Sequence, residues 1–145
     1  KAYVGGKTIQ NKDGREADFL YKNNLTKNVF IIEIKTPKKL LIDTTVAYRK
    51  PDVFSIGKEL SGGLVQVLDQ KDSLQKEFLN LSKGKFKSFN PKALLIIGKI
   101  KDLNKNQLKS FELFRNNISG VEIITFDELF ERTNLILGQF IENSN

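Results

Sequence analysis

Two charges sit in an apolar run where neither is expected. Asn28-Val29-Phe30-Ile31-Ile32-Glu33-Ile34-Lys35-Thr36-Pro37 reads as a buried strand, yet it carries Glu33 and Lys35. An ionised group taken out of water costs several kcal/mol, roughly, unless it is paired or holds a metal. Strand side chains alternate, so Glu33 and Lys35 share one face while Ile32 and Ile34 point to the other. Asp18 lies in the apolar segment just upstream. With the intervening turn centred between Leu25 and Thr26, Asp18 faces Glu33 directly, their Cβ atoms about 4.5–5.5 Å apart. Carboxylates that close repel unless a cation lies between them. Mg²⁺ suits such a place, because it typically uses one or two carboxylates plus substrate phosphate. The Ile34 carbonyl is a further candidate ligand. Lys35 is placed to stabilise charge developing on a phosphate. The chemistry that follows is in-line hydrolysis of a phosphodiester by metal-activated water. Asp18 and Glu33 are its metal ligands, and Lys35 its electrostatic stabiliser and water orienter. The same letters also fit a half-exposed Glu–Lys pair on an edge strand.

Composition removes most other chemistries. The 145 residues contain no histidine and no cysteine. That excludes Ser-His-Asp hydrolysis, imidazole general bases, thiolate zinc sites and thiol nucleophiles. A hydrolase built from this alphabet uses carboxylates, lysine and a bound metal. The net charge of +7 favours polyanionic partners, nucleic acid first, although solubility alone would also account for it. No stretch reaches ~18 consecutive apolar residues, and there is no signal-peptide pattern, so no membrane association and a cytoplasmic location are expected. The start at Lys1, without a methionine, reads as a fragment of a longer protein.

The elements that must position these groups follow from pattern. Strands are expected over Ala2–Gln10, Glu16–Tyr21 and Val29–Thr36, with an Asp13-Gly14 turn after the first and Pro37 ending the third. A helix capped by Ser55 is expected to run to about Leu81. Gly62-Gly63 lies inside it, at a cost of roughly 1 kcal/mol each, which close approach of the helix to a sheet would explain. Ser82–Asn90 reads as a basic loop, Ala93–Ile100 as a strand buried on both faces, and Lys105–Asn117 as an amphipathic helix. Val121–Thr125 reads as a buried strand and Asp127–Glu142 as the closing helix, with Phe111, Phe114, Phe126, Phe130 and Phe140 as packing residues. The order β-β-β-α-β-α-β-α predicts one α/β domain over residues 1–145, a mixed sheet flanked by helices.

Asp18, then Glu33-x-Lys35 on the next strand, then a helix, resembles the PD-(D/E)xK nuclease superfamily. A wider set is more specific: Gly14-Arg15-Glu16-Ala17-Asp18-Phe19-Leu20, the Glu33 strand, Tyr48-Arg49, and Glu59-Leu60-Ser61-Gly62-Gly63-Leu64-Val65-Gln66. These are similar to the C-terminal nuclease domain of Shedu anti-phage defence proteins, through to Ile123–Leu129. Ala17 stands where the superfamily's name places proline, and the superfamily's opening helix is not evident. The resemblance implies a restriction-endonuclease-like core, a DNA endonuclease dependent on Mg²⁺ or Mn²⁺, and a homo-oligomer that normally carries a variable N-terminal region. It also implies that Gln66 lies near the active site, where it would orient water, metal or Lys35; an ordinary polar residue at the helix edge is the alternative. Glu16 is open as an extra ligand, and Glu59 shares a helix face with Gln66. Candidate phosphate contacts are Lys38, Lys39, Arg49, and Lys85 and Lys87 around Phe86. The alternative from another class is a non-catalytic nucleic-acid-binding or assembly module that keeps the nuclease fold.

Overall fold

The segment around Asp18 does not form the single strand its pattern suggests. In the computed structural model, which describes residues 2–5, 14–43, 46–84 and 87–142, Asp18 is a bend between two strands. On one side β2 (Arg15–Ala17) pairs antiparallel with β1 (Ala2–Gly5). On the other, β3 (Phe19–Lys22) pairs antiparallel with β4 (Asn28–Ile34). One apolar run therefore serves two sheets. The expected continuation of the first strand to Gln10 and the Asp13-Gly14 turn fall largely outside the described residues.

The four-stranded sheet has the order β3-β4-β5-β6, with β5 spanning Lys87–Ile96 and β6 Val121–Ile124. β3 is antiparallel to β4, and β4, β5 and β6 run parallel, so the sheet is mixed as expected. β4 is an interior strand, which removes the edge-strand account of Glu33 and Lys35. Along β4, Val29, Ile31 and Glu33 are buried while Asn28, Phe30, Ile32 and Ile34 are less so. The buried side faces α1 (Lys58–Lys76). β5 begins earlier than the apolar run implies, inside the expected basic loop. Its apolar half, Ala93 to Ile96, is largely buried, as a central parallel strand requires.

α1 lies across this sheet through Leu60, Leu64, Val67 and Leu74, all buried. It starts at Gly57 rather than Ser55. The Gly57 N–H bonds the Leu41 carbonyl at 2.8 Å, and a Cβ there would lie 2.3 Å from the Leu40 carbonyl oxygen. Only glycine lets the helix begin that close to the loop after β4. The helix breaks at Glu77, and a short α2 (Phe78–Ser82) follows. Of the two interior glycines, only Gly63 makes the close approach that the pattern predicts. A Cβ on Gly63 would meet both Leu95 methyls and the Lys35 Cε at 3.4 Å, while Gly62 faces open space.

α3 (Lys105–Arg115) is opened by a reciprocal cap. Asn104 accepts from the N–H groups of Asn106 and Gln107, and the Gln107 side chain accepts from the Asn104 N–H. Phe111 buries completely, and Arg115 stacks on its ring at 4.9 Å. Arg115 also forks onto Glu128 with two bonds of 2.8 Å, tying α3 to α4 (Phe126–Glu142). The first turn of α4 is anchored against Ile100 and Lys101, whose N–H groups bond Asp127, and further along Arg132 pairs with Glu122 of β6 at 3.2 Å. Phe130 and Phe140, read as core from their spacing, are instead 62 % and 68 % exposed. The periodicity is real, but it marks an apolar face that stays largely exposed. Among the described residues no helix is long and apolar enough to cross a membrane.

The α4 anchor should be acid-sensitive. Burial alone would raise the Asp127 carboxyl, but bonds from Thr125 and from the Lys101 and Ile100 N–H groups outweigh it and hold it below the usual range. Glu128 is likewise held low, burial being outweighed by Arg115 and by Thr125. A carboxylate held low in the fold contributes stability above its unfolded pKa and loses it as pH falls through the folded value. The melting temperature should therefore fall as pH drops below about 4. In Asp127→Asn and Glu128→Gln proteins, circular-dichroism melts should show a shallower fall over the same interval.

Candidate active site

Glu33 is 4 % exposed, and three donors converge on it. The Lys35 Nζ lies 2.9 Å from Oε1, the Gln66 Nε2 2.8 Å from the same oxygen, and the Gln70 Nε2 3.2 Å from Oε2. Lys35 also donates to the Gln66 Oε1 at 2.7 Å. Glu33, Lys35 and Gln66 thus close a triangle in which every bond has a donor and an acceptor. The Gln66 amide can satisfy it only one way round, carbonyl to the ammonium and NH₂ to the carboxylate. An ammonium has three hydrogens; two are used here, and among the described residues nothing takes the third.

Local structure explains the convergence. Alternation puts Glu33 and Lys35 under α1, and the Lys35 N–H still bonds the Ile96 carbonyl at 2.8 Å, so its backbone stays in register past the strand's end. Gly63 packs against the Lys35 stem, where a Cβ would lie 3.4 Å from the Lys35 Cε. Gln66 and Gln70 lie one turn apart on α1 and present both amides to the same carboxylate.

Asp18 joins from the other side. The ladder pairs Phe19 with Ile32 and Leu20 with Ile31, the register on which Asp18 faces Glu33. Because the chain bends at Asp18, β2 leaves β4, and the Asp18 Oδ2 takes over the Ile34 N–H at 2.9 Å. In an extended strand the N–H and C=O of one residue point the same way, so the Ile34 carbonyl faces the gap that this bend opens. Oδ1 of Asp18 has no donor among the described residues. The oxygens available are those a hard divalent cation takes: Asp18, Glu33 and the Ile34 carbonyl. Among the described residues no group of three or more carboxylates or other metal-binding side chains occurs.

The other candidates separate. Glu16 is exposed, and it reaches the site through its carbonyl, which accepts from Gln70 at 2.9 Å. Glu59 pairs with Lys39 at 3.1 Å in the first turn of α1. Lys38 and Lys39 follow directly on the Lys35 end of β4, and Lys38 is exposed. Arg49 lies in a separate bridge with Val53, beside the Asp52–Lys109 ion pair to α3. Lys85 is outside the described residues. Lys87 pairs with Asn28 at the far end of β4, about 20 Å from Lys35 by strand rise. The structure therefore gathers Asp18, Glu33, Lys35 and Gln66, and it does not bring Arg49 or Lys87 to them. Gln70 was missed by pattern. The available signal was its four-residue spacing from Gln66 and its place in the apolar stripe of the helix.

Two comparisons bear on what this set belongs to. The family described as Shedu protein SduA, C-terminal, matches residues 1–130. The chain belongs to the Shedu SduA C-terminal family. The Shedu protein SduA of Bacillus cereus (strain B4264) is 43 % identical over 141 residues, covering 91 % of this chain and 37 % of that protein. The chain thus spans a little over a third of the length of its SduA relative, and the matched family region contains the whole Asp18–Glu33–Lys35–Gln66–Gln70 constellation.

Proposed function

We propose that this chain is a metal-dependent DNA endonuclease domain of the PD-(D/E)xK type, the effector of a Shedu-type defence against phage. The closed triangle of Glu33, Lys35 and Gln66, with one ammonium hydrogen unused and Asp18 bonded to the Ile34 N–H between the two charged residues, supports this most directly. A fold that needed only stability gains little from a nearly closed carboxylate held by an ammonium and two amides, since apolar residues of similar volume commonly do as well. The oxygens of Asp18, Glu33 and Ile34 would hold Mg²⁺ or Mn²⁺. Such an ion neutralises phosphate charge and lowers the pKa of water. Gln66 fixes the Lys35 ammonium, whose third hydrogen is free to bond a non-bridging phosphate oxygen as charge develops there. Lys38, exposed at the same end of β4, extends positive charge along the DNA backbone. Hydrolysis would then form a P–O bond to the attacking water, which releases a proton to solvent, as the opposite P–O bond breaks and the leaving oxygen takes up a proton from solvent.

Plasmid cleavage tests this. Supercoiled DNA should be nicked or cut by the purified protein with Mg²⁺ or Mn²⁺ and left intact with a chelator. Glu33→Ala should be inactive while keeping its far-ultraviolet spectrum. Equal cleavage by wild type and Glu33→Ala would reject the assignment.

A further inference from the structure

The buried stripe by which α1 packs on the sheet carries a small hydroxyl at Ser73 and, next to it, a full-sized amide at Gln70. Leu60, Leu64, Val67 and Leu74 are buried hydrophobics, and between the last two sits Gln70, 1 % exposed. Leucine would fit that stripe by size and pattern. Both hydrogens of the Gln70 amide are committed, one to the Glu16 carbonyl at 2.9 Å and one to the Glu33 Oε2 at 3.2 Å. Its own Oε1 is buried with no partner among the described residues. A buried amide with half its capacity unmet is a poor packing choice, so its use lies in what the other half holds.

What it holds is the second oxygen of Glu33. Oε1 already accepts from Lys35 and Gln66, which occupies both of its lone pairs. Oε2 accepts from Gln70 alone, which leaves one lone pair open. The carboxylate therefore has a single free acceptor direction, and the bond from Gln70 sets where it points. The link to the Glu16 carbonyl fixes the amide against β2, the strand that leads directly into Asp18. One side chain thus ties together the two segments that carry the carboxylates.

We propose that Gln70 is a positioning residue that orients the Glu33 Oε2 and the Asp18 strand for a divalent cation. This rests on the cation site proposed above. It assigns the choice of Glu33 oxygen to Gln70, while Gln66 serves the Lys35 ammonium. Gln70 touches neither phosphate nor attacking water, so its substitution acts first on cation affinity.

The test is Mn²⁺ titration by calorimetry on metal-free protein, with thermal melts of the same samples. Gln70→Leu and Gln70→Met both remove the amide and keep the stripe apolar. Each should weaken Mn²⁺ binding by about tenfold to a hundredfold, more than the modest fall in metal-free melting temperature that follows when the Glu16 carbonyl and the Glu33 Oε2 lose a donor accounts for. Unchanged Mn²⁺ affinity in either folded variant overturns the role of Gln70 alone. Weaker binding that tracks an equal loss of metal-free stability assigns Gln70 to packing and also overturns it. Failure of the unaltered protein to bind Mn²⁺ overturns the cation site itself, and Gln70's part with it.

Discussion

Lys35→Ala is expected to lower plasmid cleavage at least a hundredfold while leaving Mn²⁺ binding intact or tighter. The ammonium donates to Glu33 and Gln66 and keeps one hydrogen for the phosphate. Removing one preorganised donor from a developing oxyanion typically costs 10²–10³ in rate, roughly. The direction on metal affinity is opposite, because Lys35 is a cation that competes for the same carboxylate. Stability should drop as well, since Glu33 loses its counter-charge where it is nearly closed to water. A fully buried pair broken on one side costs about 3–5 kcal/mol; with the Lys35 side chain 21 % exposed, about 1–3 kcal/mol is the expected loss. Mn²⁺ should return part of that loss by replacing the ammonium as counter-charge, so chemical denaturation with and without Mn²⁺ should show a larger metal effect in Lys35→Ala than in wild type. An equal metal effect in the two proteins would mean that Lys35 and the cation do not share Glu33.

Asp18→Asn separates position from charge. The asparagine carbonyl can still accept the Ile34 N–H, so the bend that directs β2 and β3 into different sheets should survive, and the melt should stay within about 1 kcal/mol of wild type. What is lost is the negative charge beside Glu33. A divalent cation contributes several kcal/mol of charge stabilisation, and weakening its hold should cost roughly 10²–10³ in cleavage, together with a clear loss of Mn²⁺ affinity. A folded Asp18→Asn protein that cuts DNA at the wild-type rate would remove Asp18 from the site and leave its carboxylate a purely structural cap on Ile34.

Much of this site is legible in the sequence. Glu33 and Lys35 stand out because an apolar strand does not carry charge without cause; the hairpin register rests on an assumption, a turn centred between Leu25 and Thr26, and the ladder has that register. Gln66 came from resemblance, and the structure gives it bonds to both Glu33 and Lys35. The bend at Asp18 was not legible, because Glu16–Tyr21 alternates like one strand and nothing local says that its halves pair with different partners. Gln70 was hidden for a related reason. A helix pattern assigns it to the buried stripe, and only the neighbouring strand reveals that a carboxylate waits there. Helix starts depend on contacts too: Ser55 is the better cap by residue type, but the tight packing of Gly57 on Leu40 decides. The α4 phenylalanines show the converse limit. Spacing finds an apolar face without saying whether anything lies against it.

A crystal of this protein soaked in Mn²⁺ and measured at the manganese absorption edge tests the central claim most directly. The expected result is one anomalous peak bounded by the Asp18 and Glu33 carboxylates and the Ile34 carbonyl, with the Lys35 ammonium beside it and still held by Gln66. No peak at that place, with Asp18 bonded only to the Ile34 N–H and Glu33 only to Lys35 and the two glutamines, would contradict it.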